Sequence, residues 1–191
     1  MQGFERRAAY FTLRFDAKTE RSVIDLWIAL AEEGIELVGL TGHRPHVTVS
    51  AYETDEVESY FPLLDEFART TAKFPVTFGA LGVFPANGVV YLAPVVTDAL
   101  CAVHRSLLAH FDGPGQPPVR HEALLPDRWM PHCTLADGAD PGTVAQIVTF
   151  CARKWQPIEG WVEGIGVRVP PDTMDVYDVS FADRAARNEA Y

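Results

Sequence analysis

Cysteine is scarce in this chain: its 191 residues include three, Cys101, Cys133 and Cys151. An odd number cannot all pair, and each falls in a segment of apolar periodicity. A disulfide scaffold is therefore excluded, and reduced, buried thiols in a cytoplasmic protein are expected. No apolar run approaches the length of a membrane span. The opening Met1-Gln2-Gly3-Phe4-Glu5-Arg6 lacks the apolar core that follows a basic start in an export signal. No membrane partner is expected. Basic residues are outnumbered, 16 Lys and Arg against 26 Asp and Glu, giving a formal net charge of −10. A protein that tracks long RNA or DNA needs a basic surface, so a long nucleic-acid tract is excluded, whereas a small phosphorylated ligand, needing only local donors, is not. The His, Cys and carboxylate spacing of a metal centre is also missing, and neither metal nor cofactor is expected.

What the chain does have is ordinary globular composition, 48% apolar and 22% charged, and one five-residue pattern that occurs twice. Pro45-His46-Val47-Thr48-Val49 and Pro131-His132-Cys133-Thr134-Leu135 each run proline, histidine, apolar, threonine, apolar. In a strand, side chains alternate with period two. His46, Thr48 and Ser50 then share one face and Val47 and Val49 the other; His132 and Thr134 share a face opposite Cys133 and Leu135. The apolar faces need a core, so the polar ones look into solvent or a cleft. Cys133 is thereby a packing residue rather than a nucleophile.

The elements around the motifs follow from periodicity and caps. Tyr10 to Phe15 reads as a strand. A helix capped by Asp16 or Thr19 carries Val23, Leu26, Trp27, Leu30 and Ala31 and ends at Gly34. Ile35 to Leu40 is a short strand, residues 44–51 the first motif strand. Thr54 is expected to cap the next helix, in which Pro62 marks a kink or a late start. Val76 to Val83 and Val89 to Ala93 form a hairpin about Pro85-Ala86-Asn87-Gly88. A helix from about Asp98 to Phe111 places His104 and His110 toward solvent. The stretch Asp112 to Arg128 is a long connection of the kind that often forms a binding loop. After the second motif strand, Asp140-Pro141 opens a helix bearing Val144, Ile147, Val148 and Cys151. Val162 to Val169 and Met174 to Phe181 are the last strands.

Shifting the first half by 86 residues lays His46 on His132, Thr54 on Asp140 and Val76 on Val162. The repeating unit is strand, helix, motif strand, helix, strand. The expectation is an α+β fold: a single bilobal domain over 1–191, with halves of approximately 8–85 and 86–181. The two similar lobes have antiparallel-containing sheets, helices on their outer faces, and the two His-x-Thr motifs across a central cleft. Exchange of strands between the lobes is left open.

With these residues in view the chain resembles the two-histidine phosphoesterases, the superfamily that includes bacterial 2′-5′ RNA ligase-like proteins and cyclic nucleotide phosphodiesterases. The match rests on His46-Val47-Thr48 and His132-Cys133-Thr134. It extends to Ala9–Phe15 as the opening strand and to Phe78–Pro85 with Val89–Leu92 as a middle hairpin, roughly residues 8–181 in all. The resemblance implies a monomeric hydrolase acting on a 2′,3′-cyclic phosphate or a 2′-5′ linkage in a small nucleotide or short RNA end. His46 and His132 would be acid and base, and Thr48 and Thr134 oxyanion donors. The rivals are a 2′-5′ RNA ligase running the reverse transfer and a non-catalytic nucleotide-binding module. Where ligase-like members often carry an arginine after the second motif, this chain has Ala136-Asp137. Further substrate contacts are sought among Tyr52, Phe84, Tyr91 and Trp129, any of which could stack on a base, and among Arg44, His121 and Arg128, which could reach a phosphate.

Overall fold

The structure, a computed structural model, describes residues 7–35, 42–112 and 120–183. Seven strands and four α-helices alternate along it: β1 Ala8–Phe15, α1 Ala17–Glu32, β2 Val47–Glu53, α2 Phe61–Thr70, β3 Phe74–Phe84, β4 Val89–Pro94, α3 Asp98–Asp112, β5 Cys133–Ala136, α4 Pro141–Lys154, β6 Ile158–Arg168 and β7 Tyr177–Ser180. The fold is α+β, and every pairing between strands is antiparallel. The expected strand Ile35–Leu40 falls mostly on residues 36–41, outside the described residues, as does much of the long connection, 113–119.

Local chemistry accounts for the helix starts. Asp16 accepts from the amides of Lys18 and Thr19, and Asp140 from those of Gly142 and Thr143 with Pro141 in the first turn, so each satisfies donors that have no partner inside the helix. Thr54 does something else. Its hydroxyl accepts from the amide of Glu56, and a short 3-10 turn, Val57–Tyr60, intervenes before α2 begins at Phe61. Pro62 then lies in the first turn of α2, where a missing N–H costs nothing; of the two outcomes expected for it, the late start is the one seen. Met174, expected in the last strand, is exposed and precedes it.

The sheet runs β2-β1-β6-β3-β4-β5, with β7 also on β6. The repeat is visible as β1-α1-β2-α2-β3 followed by β4-α3-β5-α4-β6, and each half's third strand pairs with the other half's first. β6 meets β1 through Val162–Arg168 and β3 through Ile158–Val162. β3 meets β4 through Phe78–Phe84. The ladder is therefore continuous, and the motif strands β2 and β5 stand at its two ends. Alternation sets the core: Phe11, Leu13, Val47, Val49, Leu92, Cys133, Leu135, Ile165 and Val167 are all at most 1% exposed. α1 packs over β6 and β1, α3 over β2, and α4 over β3.

Two histidines expected in solvent are not there. His104 is 2% exposed, its ring stacked on Trp129 at 3.9 Å between centroids, and its Nε2–H donates to the carbonyl of Leu124. His110 is half-buried and donates from Nε2 to the carbonyl of Leu63. Each imidazole sits where a helix meets a segment that offers a free carbonyl, which periodicity along one helix cannot reveal.

Candidate active site

Both motif histidines precede an end strand, and both are fixed in the same way. His46 Nδ1 lies 2.7 Å from the carbonyl of Arg44, and His132 Nδ1 lies 2.7 Å from the carbonyl of Met130. A carbonyl can only accept, so Nδ1 carries the proton in each ring and Nε2 is left as the lone-pair nitrogen of the neutral form. The bond reaches back two residues in each case, a geometry that the extended His-x-Thr entry allows twice.

The two imidazoles open onto one cleft of about 560 Å³, a size suited to a small ligand. Thr48 and Thr134 line it with them, and neither hydroxyl bonds another described residue. Phe84, His121 and Arg128, all proposed from sequence, also line it, and so do Tyr10, Asn87, Met130, Asp137 and Arg168, which were not. Phe84 stands edge-on to His132 at 5.0 Å between ring centroids. Tyr91 lies 5.4 Å from the same imidazole but is 7% exposed, so it supports the ring from behind and offers little face to a ligand.

Three sequence candidates lie elsewhere. Tyr52 is fully buried in an aromatic cluster with Phe11, Tyr60 and Phe111. Plain alternation would give Ser50 and Tyr52 the face of Thr48, but a β-bulge at Val49, with Thr12 opposite Thr48 and Phe11 opposite Ser50, turns both onto the core face beneath α3. Ser50, expected beside His46 and Thr48, is therefore buried instead. Trp129 donates its indole N–H to the carbonyl of Thr48 and stacks on His104. Arg44 contributes its carbonyl to His46, while its guanidinium is paired with Glu20 at 2.6 Å.

Arg168 is the residue that sequence reasoning missed. From the end of β6 it donates to His46 Nε2 at 3.0 Å and to His43 Nδ1 at 3.1 Å. Burial, and then the guanidinium beside it, push the His46 imidazole down to about 3, and the same two causes lower that of His43. Burial lowers His132 as well, the carbonyl of Met130 opposing it. Both motif imidazoles are therefore neutral at pH 7 in the empty cleft. The one signal in the sequence was a basic residue at the end of the strand, on the face that Gly164 and Gly166 share. Cys133 is buried on the opposite face, which raises its thiol to about 12 and rules out a thiolate nucleophile. Among the described residues no group of three or more His, Cys, Asp or Glu is placed to hold a metal ion, and no helix is long and apolar enough to cross a membrane.

Comparison with known proteins bears on the family and the fold. The family model of the 2′-5′ RNA ligase superfamily matches residues 36–171. Among solved structures, a phosphoesterase has a similar fold at 15% identity and a TM-score of 0.61, covering 94% of this chain and 100% of its own. Escherichia coli LigT in apo form is similar at 16% identity and 0.58, and LigT complexed with 3′-AMP at 14% and 0.58, each over 94% of this chain and 100% of theirs. At such identities the likeness concerns the fold. No curated protein sequence matches the chain significantly.

Proposed function

Because the chain belongs to the 2′-5′ RNA ligase superfamily, we propose that it is a metal-independent phosphodiesterase that opens a 2′,3′-cyclic phosphate, or cleaves a 2′-5′ linkage, in a small nucleotide or RNA end. One observation carries the reading: two imidazoles, each held through Nδ1–H at 2.7 Å, share a cleft with two threonine hydroxyls. The neighbour solved with 3′-AMP supports a nucleotide ligand.

The chemistry follows from the tautomers. His46 Nε2 takes a proton from water as its oxygen attacks phosphorus, and the P–O bond on the opposite side breaks. His132, protonated in the complex because a bound anion favours imidazolium, gives its Nε2 proton to the departing ribose oxygen. Thr48 and Thr134 donate to the non-bridging oxygens, where one donor is typically worth about 3 kcal/mol. His46 is the base because its neutral form is the more strongly favoured. The product is a phosphomonoester, and the proton returns from His46 to His132 through solvent.

A panel of 2′,3′-cyclic nucleotides and 2′-5′ dinucleotides, followed by phosphorus NMR, tests the reading. Turnover should fall by roughly 10²-fold or more in both His46→Gln and His132→Ala, with melting little changed. If His132→Ala retains near-wild-type activity, the two-histidine assignment fails. If the protein instead joins a cyclic phosphate to a 5′-hydroxyl faster than water opens it, ligation replaces hydrolysis.

A further inference from the structure

Arg168 ends β6 with its guanidinium against both His43 and His46. A half-buried guanidinium ordinarily takes a carboxylate partner, because desolvating the charge is costly. Among the described residues Arg168 has no ion pair. Its two donor contacts go to lone pairs of neutral rings, His43 and His46. Asp175 provides the compensating negative charge at longer range, and burial raises its carboxyl. Thr12 donates to Asp175 at 3.3 Å. Gly166, two residues before Arg168, makes room for Asp175, since a Cβ there would overlap the carboxylate. The sheet thus stabilises the cation without an ion pair, and its fork is held only by two neutral imidazoles.

The other arginines near the cleft are committed. Arg44 is paired with Glu20, and Arg128 with Glu122 at 2.7 Å. Asp137, on the loop after β5, faces the same space. The anion-receiving capacity is therefore concentrated on the His46 side, at one planar group whose geometry suits two oxygens of a phosphoryl group.

We propose that Arg168 is the phosphoryl-binding residue of this cleft, and that in the empty protein it caps His46 Nε2 until an incoming phosphoryl group draws it away. A charge-assisted bond to an anionic oxygen is roughly twice as strong as one between neutral groups, so the exchange favours the phosphate over the imidazole. It also frees the nitrogen that must accept the proton from water. The base is exposed only when substrate is in place. This inference rests on the phosphoesterase reading for its purpose, though not for the binding itself.

The test uses inorganic phosphate with full-length protein carrying isotope-labelled histidine, comparing wild type, Arg168→Lys and Arg168→Gln. In the wild type, phosphate should shift the His46 Nε2 resonance as the guanidinium leaves it. Arg168→Gln should bind phosphate roughly 10- to 100-fold more weakly, and its His46 resonance should respond little. Arg168→Lys keeps the charge but not the fork, so its affinity should fall between the two. Lysine also serves as the folded control if glutamine destabilises the chain. A wild-type protein that ignores phosphate, or an Arg168→Gln protein that binds it as tightly as wild type with the same histidine response, overturns the inference. A merely structural arginine would lower the melting temperature of the variants and leave phosphate affinity unchanged, which also overturns it. Arg168-dependent binding in a protein that turns over no cyclic nucleotide would instead sink the phosphoesterase reading and leave this one standing.

Discussion

The indole N–H of Trp129 donates to the carbonyl of Thr48 at 2.9 Å, and at the other end of the sheet the indole N–H of Trp27 donates to the carbonyl of Thr134 at 3.2 Å. Among the described residues both motif strands end the sheet, and no neighbouring strand satisfies the carbonyl at either threonine. Each is closed at its threonine by a tryptophan from a distant segment, one from the loop before β5 and one from α1.

Trp129→Phe keeps an aromatic ring for His104 to stack on and removes the donor. We expect about 0.5–1.5 kcal/mol less stability. Turnover should fall by up to roughly 100-fold, because the threonine that must meet a non-bridging oxygen loses its backbone anchor. Thermal melting and steady-state kinetics on one preparation decide this: an unchanged kcat beside a lowered melting temperature would show the bond to be structural only.

What the sequence made legible was local. Alternation across Pro45–Val49 and Pro131–Leu135 needs only neighbouring residues, as does the Asp140-Pro141 helix start, and all three agree with the structure. The 86-residue shift exposed the repeat because both halves keep the same element order. What was hidden depends on pairing between distant strands. Arg168 reaches His46 because β6 lies beside β1, which lies beside β2, an arrangement across 122 residues that no spacing reveals. Tyr52 and Trp129 were sought in the cleft as aromatics near a motif; burial beneath α3 and an edge carbonyl claim them instead. Thr54 matched Asp140 by register but meets a 3-10 turn, so the cap is not shared.

The pH dependence follows from the two imidazoles. In the free protein His46 lies at about 3 and His132 below its ordinary 6.5, each lowered first by burial, with Arg168 adding to the effect on His46. The acid must carry its proton and the base must not. kcat/KM, which reports the free protein, should therefore rise as pH falls below 7, peak on the acid side of 6.5, and decline again toward 3. In the complex the phosphoryl charge favours both imidazoliums, so the kcat profile should be displaced to higher pH. Initial rates from pH 3.5 to 8.5 check this, and a kcat/KM still climbing above pH 7 contradicts the assignment of a lowered imidazole as the acid.

Gly88, at the tip of the β3–β4 hairpin, has φ +67°, and a Cβ there would overlap the backbone carbonyl of Ala139. The same residue accepts the amide of Ala139 at 3.1 Å, tying the hairpin to the loop that carries Asp137. Backbone cannot swing aside as a side chain can. Gly88→Ala should destabilise the protein by about 1–3 kcal/mol, from the left-handed conformation and the displaced loop together. Urea unfolding measures it, and a loss under about 0.5 kcal/mol would mean that the hairpin and the loop move apart freely.

Substrate length is the point on which net charge and family membership pull in opposite directions. Membership in an RNA ligase superfamily suggests RNA, whereas a net charge of −10 opposes a long polyanion. Arg44, Arg120 and Arg128 are the places where a basic patch could hide beneath the negative total. Each is paired with a carboxylate: Arg44 with Glu20, Arg120 with Asp112, Arg128 with Glu122. The last pair is exposed, and such pairs are worth at most about 1 kcal/mol, so Arg128 can leave Glu122. Even then the acid stays behind and keeps the local charge near zero. Only Arg168 faces the cleft without an ion-pair partner among the described residues. Each phosphate neutralised adds about one unit to the slope of log K against log salt. The slope should accordingly be near one, at most two, and affinity should level off beyond two or three nucleotides. Binding from a mononucleotide to a ten-mer at three salt concentrations measures both. An affinity that climbs steadily with length, with a slope of about five or more, would require a phosphate-binding track beyond the cleft and would restore long RNA as the substrate.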